Sequence, residues 1–138
     1  MADDLPVRRG VVAVIRDGEK LLLIRRSQWV VAPGAFCFPG GGIEPGETEE
    51  QALVREVSEE LQMRALPVRR LWRSRTAWGV ELSWWLTRPL PGAVPRPAPA
   101  EVESCHWHST AEIAGLPGLL QSNQEFLAAL ARGEFSLE

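Results

Sequence analysis

The feature that most constrains this chain is an amphipathic stretch, residues 49–62, that follows a run of three glycines at residues 40–42. With 3.6 residues per turn, the stretch predicts a helix with an apolar arc and an adjoining acidic arc. The apolar arc holds Leu53, Val57 and Leu61, and the acidic arc holds Glu56, Glu59 and Glu60. The helix is therefore expected to pack on a core along one side and to present three carboxylates beside it.

The acidic arc has two explanations. Most acidic arcs on amphipathic helices are solvated surfaces. Here, however, like charges at these spacings destabilise a helix by roughly 0.2–0.5 kcal/mol per pair, and the C-terminal half of a helix disfavours negative charge. A divalent cation removes both penalties, and carboxylate oxygens suit Mg²⁺ or Mn²⁺. No cluster of Cys and His accompanies the carboxylates, which argues against zinc.

The start of the helix is also specified by the sequence. Thr48 and Gln51 have the spacing of a capping box, and Gly46 before them allows a sharp turn into the helix. The glycines at residues 40–42 lack side chains, so their backbone can approach a ligand or an ion closely. A glycine run alone is weak evidence, but at a fixed distance before an acidic helix it favours a ligand site.

Residues 41–63 resemble the signature box of the Nudix hydrolases. The match consists of Gly41, then Glu47, then the run of residues 55–60, Arg-Glu-Val-Ser-Glu-Glu. One position departs, because Gln62 stands where the family usually has glycine. A residue with a side chain in a left-handed conformation costs roughly 1–2 kcal/mol, so the end of this helix is expected to differ from that of the family.

The resemblance implies an α+β fold, an α/β/α sandwich with a mixed central sheet, formed by residues 1–138 as one domain. It implies Mg²⁺, or Mn²⁺, held by carboxylates of the box with the Gly40 carbonyl. Within the MutT-like branch it implies a further glutamate, for metal or as a proton acceptor, at Glu101. Arg55 is expected to stay off the metal and to fix carboxylates, with Glu47 as one partner. The implied catalytic and metal residues are Gly40, Glu47, Arg55, Glu56, Glu59, Glu60 and Glu101.

Composition is consistent with one globular domain. The chain has 138 residues, of which 45% are apolar and 24% charged, and a formal net charge of −3. This charge gives no general attraction to nucleic-acid polymers, although local arginines could bind a small phosphorylated ligand. No apolar run approaches a membrane span, and residues 1–4 lack a secretory pattern. These observations predict a cytoplasmic protein without a membrane partner, and they leave the oligomeric state open, a homodimer included.

Alternating strands surround the central helix. Residues 10–16 and 20–26 are expected to form a hairpin around Asp17-Gly18, and residues 36–38 a short strand before the glycine turn. Later strands are predicted at residues 68–76, 80–87 and 102–108. A last helix from about Leu119 should turn Phe126, Leu127 and Leu130 to the core and end at Gly133.

Between the last two strands lies a proline-rich segment, residues 88–100. Prolines favour an extended, stiff backbone and cannot donate sheet hydrogen bonds. The segment is either a rigid surface connector or a device that brings Glu101 to the mouth of a cleft. Glu103 lies only two residues further on, so the assignment of Glu101 depends on the register of this segment.

Four residues are candidates for substrate contact. Arg26, at a strand end, matches the MutT-like position that contacts phosphate, although a solvated arginine is the alternative. Asn123 resembles the asparagine that contacts the purine edge in MutT-like enzymes, and its alternative role is the N-cap of the last helix. Trp29 and Trp78, in predicted loops, are candidates for stacking on a base.

The sequence thus predicts a pyrophosphohydrolase whose partner is a small nucleotide. The favoured reaction is hydrolysis of a nucleoside triphosphate, with an oxidised purine as a candidate, to the monophosphate and pyrophosphate. Another Nudix substrate, such as ADP-ribose, a dinucleoside polyphosphate or a nucleotide sugar, is chemically equivalent at the box. A nucleotide sensor without catalysis is the alternative from a different class. Either Glu56 or Glu101 could accept the proton from water.

Overall fold

The computed structural model describes residues 8–138; residues 1–4, used above for the secretory pattern, lie outside this range. Its strands are β1 (Arg8–Asp17), β2 (Lys20–Arg26), β3 (Phe36–Cys37), β4 (Gly40–Gly42), β5 (Ala65–Arg75), β6 (Val80–Pro89) and β7 (Val102–His108). Its helices are α1 (Glu49–Leu61), α2 (Thr110–Ala114) and α3 (Gln121–Ala131). None of the helices in the described residues is long and apolar enough to cross a membrane.

The sheet is mixed, as predicted. Strand β1 pairs in parallel with β6 and antiparallel with β4, and β6 pairs antiparallel with the edge strand β5. Strand β2 continues the sheet from the β1–β2 hairpin and pairs antiparallel with β3 and β7. The parallel β1–β6 pair requires a long crossover. Helix α1 lies within it, which places that helix on one face of the sheet.

Alternation along β1 divides the core into two layers. Val11, Ala13 and Ile15 pack in the same cluster as the apolar arc of α1. Val12 and Val14 face the opposite way and pack in a second cluster, which includes Trp84 and Phe126. Since Phe126 belongs to α3, the two helices cover opposite faces of the sheet, which gives the α/β/α arrangement.

Three local predictions differ from the structure. The hairpin loop is Gly18-Glu19 rather than Asp17-Gly18, because Asp17 still pairs with Lys20. The glycine run forms a short strand, β4, rather than a turn alone. Helix α2 was missed because it has only five residues, too few to show helical periodicity, although Ser109 and Glu112 form its capping box.

The end of α1 corrects the expectation for Gln62. This residue adopts the left-handed conformation, with φ of 51°, that the family usually gives to glycine. Its side-chain amide donates to the carbonyls of Arg96 and Pro97, both at 3.3 Å. The prediction of a different helix end was wrong, because contacts with the proline-rich segment help to hold Gln62 in this strained conformation.

The proline-rich segment also satisfies the end of α1 directly. The backbone N–H of Arg96 donates to the carbonyl of Leu61 at 2.7 Å, and that of Ala98 donates to the carbonyl of Glu60 at 2.9 Å. Carbonyls in the last turn of a helix have no partner within the helix. The segment therefore acts as a cap for α1 as well as a connector.

Two substitutions at Gln62 separate strain from capping. Gln62→Gly removes the strain, and we expect it to raise the free energy of unfolding by about 1 kcal/mol, less the amide contacts. Gln62→Ala keeps the strain and loses the same amide contacts, so we expect it to be less stable than the native protein. Urea denaturation measures both. A glycine variant no more stable than the alanine variant would contradict strain at this position.

Candidate functional site

A cleft lies where the N-terminal half of β1, the glycine strand β4 and the start of α3 meet. Its floor is the paired backbone of β1 and β4, in which Val11 faces Gly41 and Val12 faces Gly40. Its lining residues are Arg8, Arg9, Gly10, Val11, Val12, Arg26, Cys37, Phe38, Gly40, Gly41, Gly42, Val80, Leu82, Leu120, Ser122 and Asn123.

Two of the three glycines of β4, Gly40 and Gly41, have atoms close to the position that a Cβ would occupy, whereas Gly42 has none within 4 Å. A Cβ on Gly40 would lie 2.2 Å from the carbonyl oxygen of Val11, which is backbone and cannot move aside. A Cβ on Gly41 would lie 2.4 Å from the carboxyl carbon of Glu56. The absence of side chains thus lets β4 join the sheet while the Glu56 carboxylate of α1 lies against it.

Glu60 is the most buried carboxylate of the site, with only 6% of the residue exposed. Its Oε1 accepts a hydrogen bond from the backbone N–H of Gly40 at 2.7 Å. Burial raises the pKa of Glu60 to about 8; the Gly40 hydrogen bond opposes this shift, and the charges of Glu56 and Glu101 add to it. A negative charge at this position is therefore costly unless a cation lies beside it.

Arg55 connects the other acidic residues of the box. Its Nε and Nη2 donate to both carboxylate oxygens of Glu47, at 2.7 and 2.8 Å. Its Nη1 donates to Glu56 at 2.9 Å and to Glu59 at 3.2 Å. The hydrogen bonds from Arg55 are the largest cause that lowers the pKa of Glu47 to about 2. Glu47 is thus ionised at neutral pH and fixes the guanidinium beside Glu56.

Glu56 and Glu59 differ in their surroundings. Burial raises the pKa of Glu56, although Arg55 opposes that shift. The side chain of Glu59 is 49% exposed. In the described residues, no three His, Cys, Asp or Glu side chains are grouped as metal ligands. Arg55 is the hydrogen-bond partner of Glu56 and Glu59, and the Gly40 N–H is the partner of Glu60. Arg55 therefore acts as an internal counter-ion for the cluster.

Glu101 and Glu103 lie in different environments although only one residue separates them. Glu101 is partly buried, and its charge raises the pKa of both Glu56 and Glu60, which puts it on their side of the cleft. Its carbonyl accepts from the N–H of Ser27 at 3.0 Å. Glu103 instead pairs with Arg25 at 3.2 Å. The structure thus brings Glu101, and not Glu103, toward the carboxylates of α1.

Arg26 lines the cleft but is held by the loop that follows it. Its Nε donates to the carbonyl of Val31 at 2.6 Å, and its Nη1 lies 3.8 Å from the sulfur of Cys37. Burial raises the pKa of Cys37 to about 11, against the influence of Arg26. Cys37 is therefore a neutral thiol at neutral pH, and Arg26 is the cation of this wall.

Asn123 is not the N-cap of the last helix, so that alternative from the sequence is wrong. Leu120 occupies the cap position, and Asn123 lies in the first turn of α3. Its Oδ1 accepts from the N–H of Phe38 at 2.8 Å, and its Nδ2 donates to Ser122 at 3.1 Å. The buried amide therefore joins α3 to the strand region before β4, and it lines the cleft.

The two loop tryptophans are far more exposed than the cleft residues. Trp29 and Trp78 are 75% and 74% exposed. Neither belongs to the cleft lining, although the carbonyl of Trp78 accepts from Arg8 at 3.5 Å. The structure does not bring these indoles into the cleft, and its apolar wall is instead formed by Phe38, Leu82 and Leu120.

Comparison with known proteins agrees with this geometry. The NUDIX domain family model matches residues 6–130. The chain belongs to this family. Among solved structures, the Escherichia coli ORF135 protein has a TM-score of 0.74 and 26% identity, over 96% of this chain and 94% of that protein.

Curated relatives of this Nudix chain match over shorter parts of their length. NAD-capped RNA hydrolase NudC of Chromobacterium violaceum is 29% identical over 107 residues, which cover 78% of this chain and 40% of the relative. CTP pyrophosphohydrolase of Escherichia coli is 44% identical over 55 residues, 40% of this chain and 41% of the relative. The chain thus spans about two fifths of the length of these relatives.

Nudix hydrolases generally use divalent metal ions, and the residues of this site fit such an ion. The available donors are carboxylate oxygens, which hard cations prefer. Burial raises the pKa of both Glu56 and Glu60, and the charges of neighbouring carboxylates add to an excess of negative charge at this position. A cation would relieve that excess, whereas Arg55 alone leaves Glu60 without a charged partner among its described hydrogen bonds.

Sequence reasoning missed the contacts of Glu49 at the start of α1. Its carboxylate accepts from Trp85 at 2.9 Å, and from Arg9 and Arg73 at 3.2 Å each. Glu49 precedes the acidic arc, and no periodic pattern marks its partners. The four arginines of β5 were the available signal that basic side chains lie along this strand, but their spacing does not predict that Arg70 and Arg73 share a face.

The burial of Glu60 gives a prediction for stability without metal. The pKa rises from 4.5 to about 8 on folding, so between these values the native state keeps a proton that the unfolded state has lost. The free energy of unfolding should therefore fall as pH rises through this interval and stay level above it. Glu60→Gln carries no such proton and still accepts from Gly40, so its advantage over the native protein should grow up to about pH 8.

Urea denaturation in EDTA at a series of pH values measures this difference. Glu50→Gln, on the exposed side of α1, is the control for loss of one carboxylate. A difference between the native protein and Glu60→Gln that stays constant between pH 5 and pH 8 would contradict a protonated, buried Glu60.

Proposed function

We propose that this Nudix chain hydrolyses a nucleoside triphosphate to the monophosphate and pyrophosphate, with Mg²⁺ or Mn²⁺, in the manner of the MutT-like branch. The observation that carries the proposal is the carboxylate pair Glu56 and Glu60, close enough to Glu101 to feel its charge, which lies against Gly41 and Gly40 of a cleft that Asn123 also lines. Carboxylates suit the metal ion that would bind the phosphates, and a buried amide suits hydrogen bonding to a nucleobase. A small nucleotide as partner and a cytoplasmic location are parts of the same proposal.

The metal would be held by carboxylates of the box and of the segment before β7. When bound, the ion supplies neutralising charge for the phosphate oxygens and lowers the pKa of water. The residues that would hold it are Gly40, through its carbonyl, with Glu56, Glu59, Glu60 and Glu101. Glu60 supplies the most buried charge, and the Gly40 N–H orients its carboxylate.

The remaining residues of the cleft orient groups and move a proton. Arg55, held by Glu47, keeps Glu56 and Glu59 on the side of the site. Arg26 contacts substrate phosphate in exchange for the Val31 carbonyl that it binds here. Glu56 or Glu101 accepts the proton of the attacking water, and burial, which raises the pKa of Glu56, makes its carboxylate a stronger base.

Asn123 is proposed to select the base. Its Oδ1 is used by the Phe38 N–H, so only its Nδ2 remains for a ligand. A single amide donor recognises an acceptor on the base, such as a ring nitrogen or a carbonyl oxygen. Pairing with a base through both amide atoms would require the Phe38 N–H to lose its partner. A purine with an acceptor at the matching edge, including an oxidised purine, is consistent with this donor.

The same carboxylates could act on other substrates. The named relatives hydrolyse NAD-capped RNA and CTP, according to their names. ADP-ribose, dinucleoside polyphosphates and nucleotide sugars contain the same phosphoanhydride. A panel of nucleoside triphosphates, oxidised guanine nucleotides, ADP-ribose and diadenosine polyphosphates, assayed with Mg²⁺ and with product analysis, tests the proposal. No hydrolysis of any of them would favour a nucleotide sensor.

The two glutamates before and within β7 give a test of the proton acceptor. If Glu101 accepts the proton, Glu101→Gln should lower kcat by about 10²–10⁴, the usual range for a general base. If Glu101 is only a peripheral ligand, the change should raise the Mg²⁺ requirement or KM instead. Glu103→Gln is the matched control, since Glu103 pairs with Arg25 and is expected to leave kcat unchanged. A larger effect at Glu103 would overturn the proposed assignment.

Asn123→Ala tests base selection and stability together. It leaves the buried Phe38 N–H without a partner, so we expect a loss of about 1–3 kcal/mol in the free energy of unfolding. If Nδ2 also contacts the base, KM for the preferred purine should rise and the preference between purines should shrink. Ser122→Ala removes the described partner of Nδ2 but leaves Phe38 paired, and it is the control. A stability loss with an unchanged substrate ranking would remove Asn123 from base selection.

A further inference from the structure

A groove lined by basic side chains lies beside the cleft, near Glu49 at the N-terminal end of α1. We call it the arginine groove; Arg9, Arg73, Arg75, Glu81 and Ser83 line it. Pairing of β1, β6 and β5 brings these residues together, since Arg9 and Arg75 both face Glu81 and Arg73 faces Ser83. Strand alternation places these pairs on the face of the sheet that α1 covers.

An irregularity in β5 concentrates the arginines on this face. Residues three apart in a regular strand point to opposite faces. The register of β5 shifts between Arg70 and Trp72, so that Arg70 pairs with Trp85 and Arg73 with Ser83. Both guanidinium groups therefore reach the carboxylate of Glu49, at 3.6 and 3.2 Å. Such a bulge re-aims side chains at a cost to the ladder.

Glu49 organises the groove from beneath. Its side chain is only 9% exposed, and it accepts from Trp85, Arg9 and Arg73. Burial acts to raise the pKa of Glu49, but hydrogen bonds from Trp85, Ser83 and Arg73 outweigh it, and the carboxylate is ionised at neutral pH. Each guanidinium has five N–H donors. One carboxylate cannot accept hydrogen bonds from all the N–H donors of three arginines. It therefore fixes the positions of the guanidinium groups, while some of their N–H donors stay available on the groove side.

The groove is continuous with the cleft through Arg9, which lines both. A ligand whose terminal phosphates lie in the cleft can therefore extend past Arg9 to Arg73 and Arg75. The charges of the groove favour a polyanion, because Arg9, Arg70, Arg73 and Arg75 outnumber Glu49 and Glu81. The overall charge of −3 hides this local excess.

We propose that the arginine groove binds the phosphodiester chain of an oligonucleotide whose 5′-terminal phosphates lie in the cleft. This inference rests on the proposed function, because it extends the triphosphate of a nucleotide into a chain attached through its ribose. None of the described residues that line the groove is aromatic. The groove therefore contacts phosphates without stacking on bases, and its binding is independent of base sequence.

The test compares ATP with a 5′-triphosphorylated RNA hexamer. In the native protein with Mg²⁺, kcat/KM should be higher for the hexamer at low salt, and the advantage should fall as salt rises. In Arg73→Gln/Arg75→Gln, the ratio of the two kcat/KM values should fall on the order of tenfold, and the salt slope by roughly 1.4, about 0.7 per lost phosphate contact. Arg88→Gln/Arg132→Gln removes the same charge far from the groove and should leave the ratio unchanged.

Binding without turnover separates this inference from the proposed reaction. A labelled RNA hexamer with a 5′-hydroxyl has no phosphoanhydride, and fluorescence anisotropy with Mg²⁺ measures its affinity for the groove. Arg75→Glu is a second variant, because Arg75 forms no described contact with Glu49, so the carboxylate network stays intact. We expect this variant to bind the hexamer more weakly, and melting temperatures check that each variant is folded.

The outcomes are distinct. If the native protein hydrolyses neither substrate while the groove variants still bind the hexamer more weakly than the native protein does, the proposed reaction fails and the groove assignment stands. If the native protein hydrolyses ATP while the variants keep both the ratio and the anisotropy, the groove assignment fails. Inorganic tripolyphosphate that displaces the hexamer as well as an unlabelled hexamer does would identify a general anion site and overturn the oligonucleotide assignment.

Discussion

The hydrogen bond between the Gly40 N–H and the Glu60 carboxylate is the interaction on which the site depends. It requires a strand and a helix to meet with almost no space between them, and this explains the glycines at positions 40 and 41 of β4. Gly40 must fit against the Val11 backbone, and Gly41 must leave space for Glu56. A side chain at Gly40 would separate β4 from β1, and a side chain at Gly41 would displace the Glu56 carboxylate. The backbone of β4 thus serves both as a sheet strand and as one wall of a carboxylate site.

Holding several carboxylates on one helix costs stability, and the rest of the fold offsets that cost locally. Arg55 supplies an internal positive charge, fixed by the fully used carboxylate of Glu47. The C-terminal end of α1, where negative charge is unfavourable, receives N–H donors from Arg96 and Ala98. The proline-rich segment therefore stabilises the same helix end whose charges it approaches through Glu101. Because Glu101 directly follows this segment in the chain, the same segment caps α1 and positions Glu101.

Local rules predicted the parts of this protein that depend on neighbours in the sequence. The capping box of Thr48 and Gln51, the apolar arc of α1 and the strand at residues 102–108 are in the structure as expected. The contacts that were wrong or missed join distant residues: Asn123 with Phe38, Gln62 with the proline-rich segment, and Glu49 with β5. A periodic sequence pattern gives no information about contacts between residues that are distant in the sequence. The left-handed Gln62 shows the point most directly, since propensity disfavours it and only tertiary hydrogen bonds explain it.

Alternation along β1 also determines which side chains lie on each face of the sheet. Arg9 lies on the side of the sheet that α1 covers, and Val12 lies on the opposite side, where the cluster of α3 packs. Strand β4 pairs with β1 over only three residue pairs, and the cleft lies against this short pair. The carboxylates of Glu60 and Glu56 lie beside Gly40 and Gly41 from α1, while Asn123 lines the cleft from α3 and Arg9 lines it from β1. A phosphorylated ligand in the cleft would therefore lie near carboxylates, an amide and a guanidinium that three different elements supply.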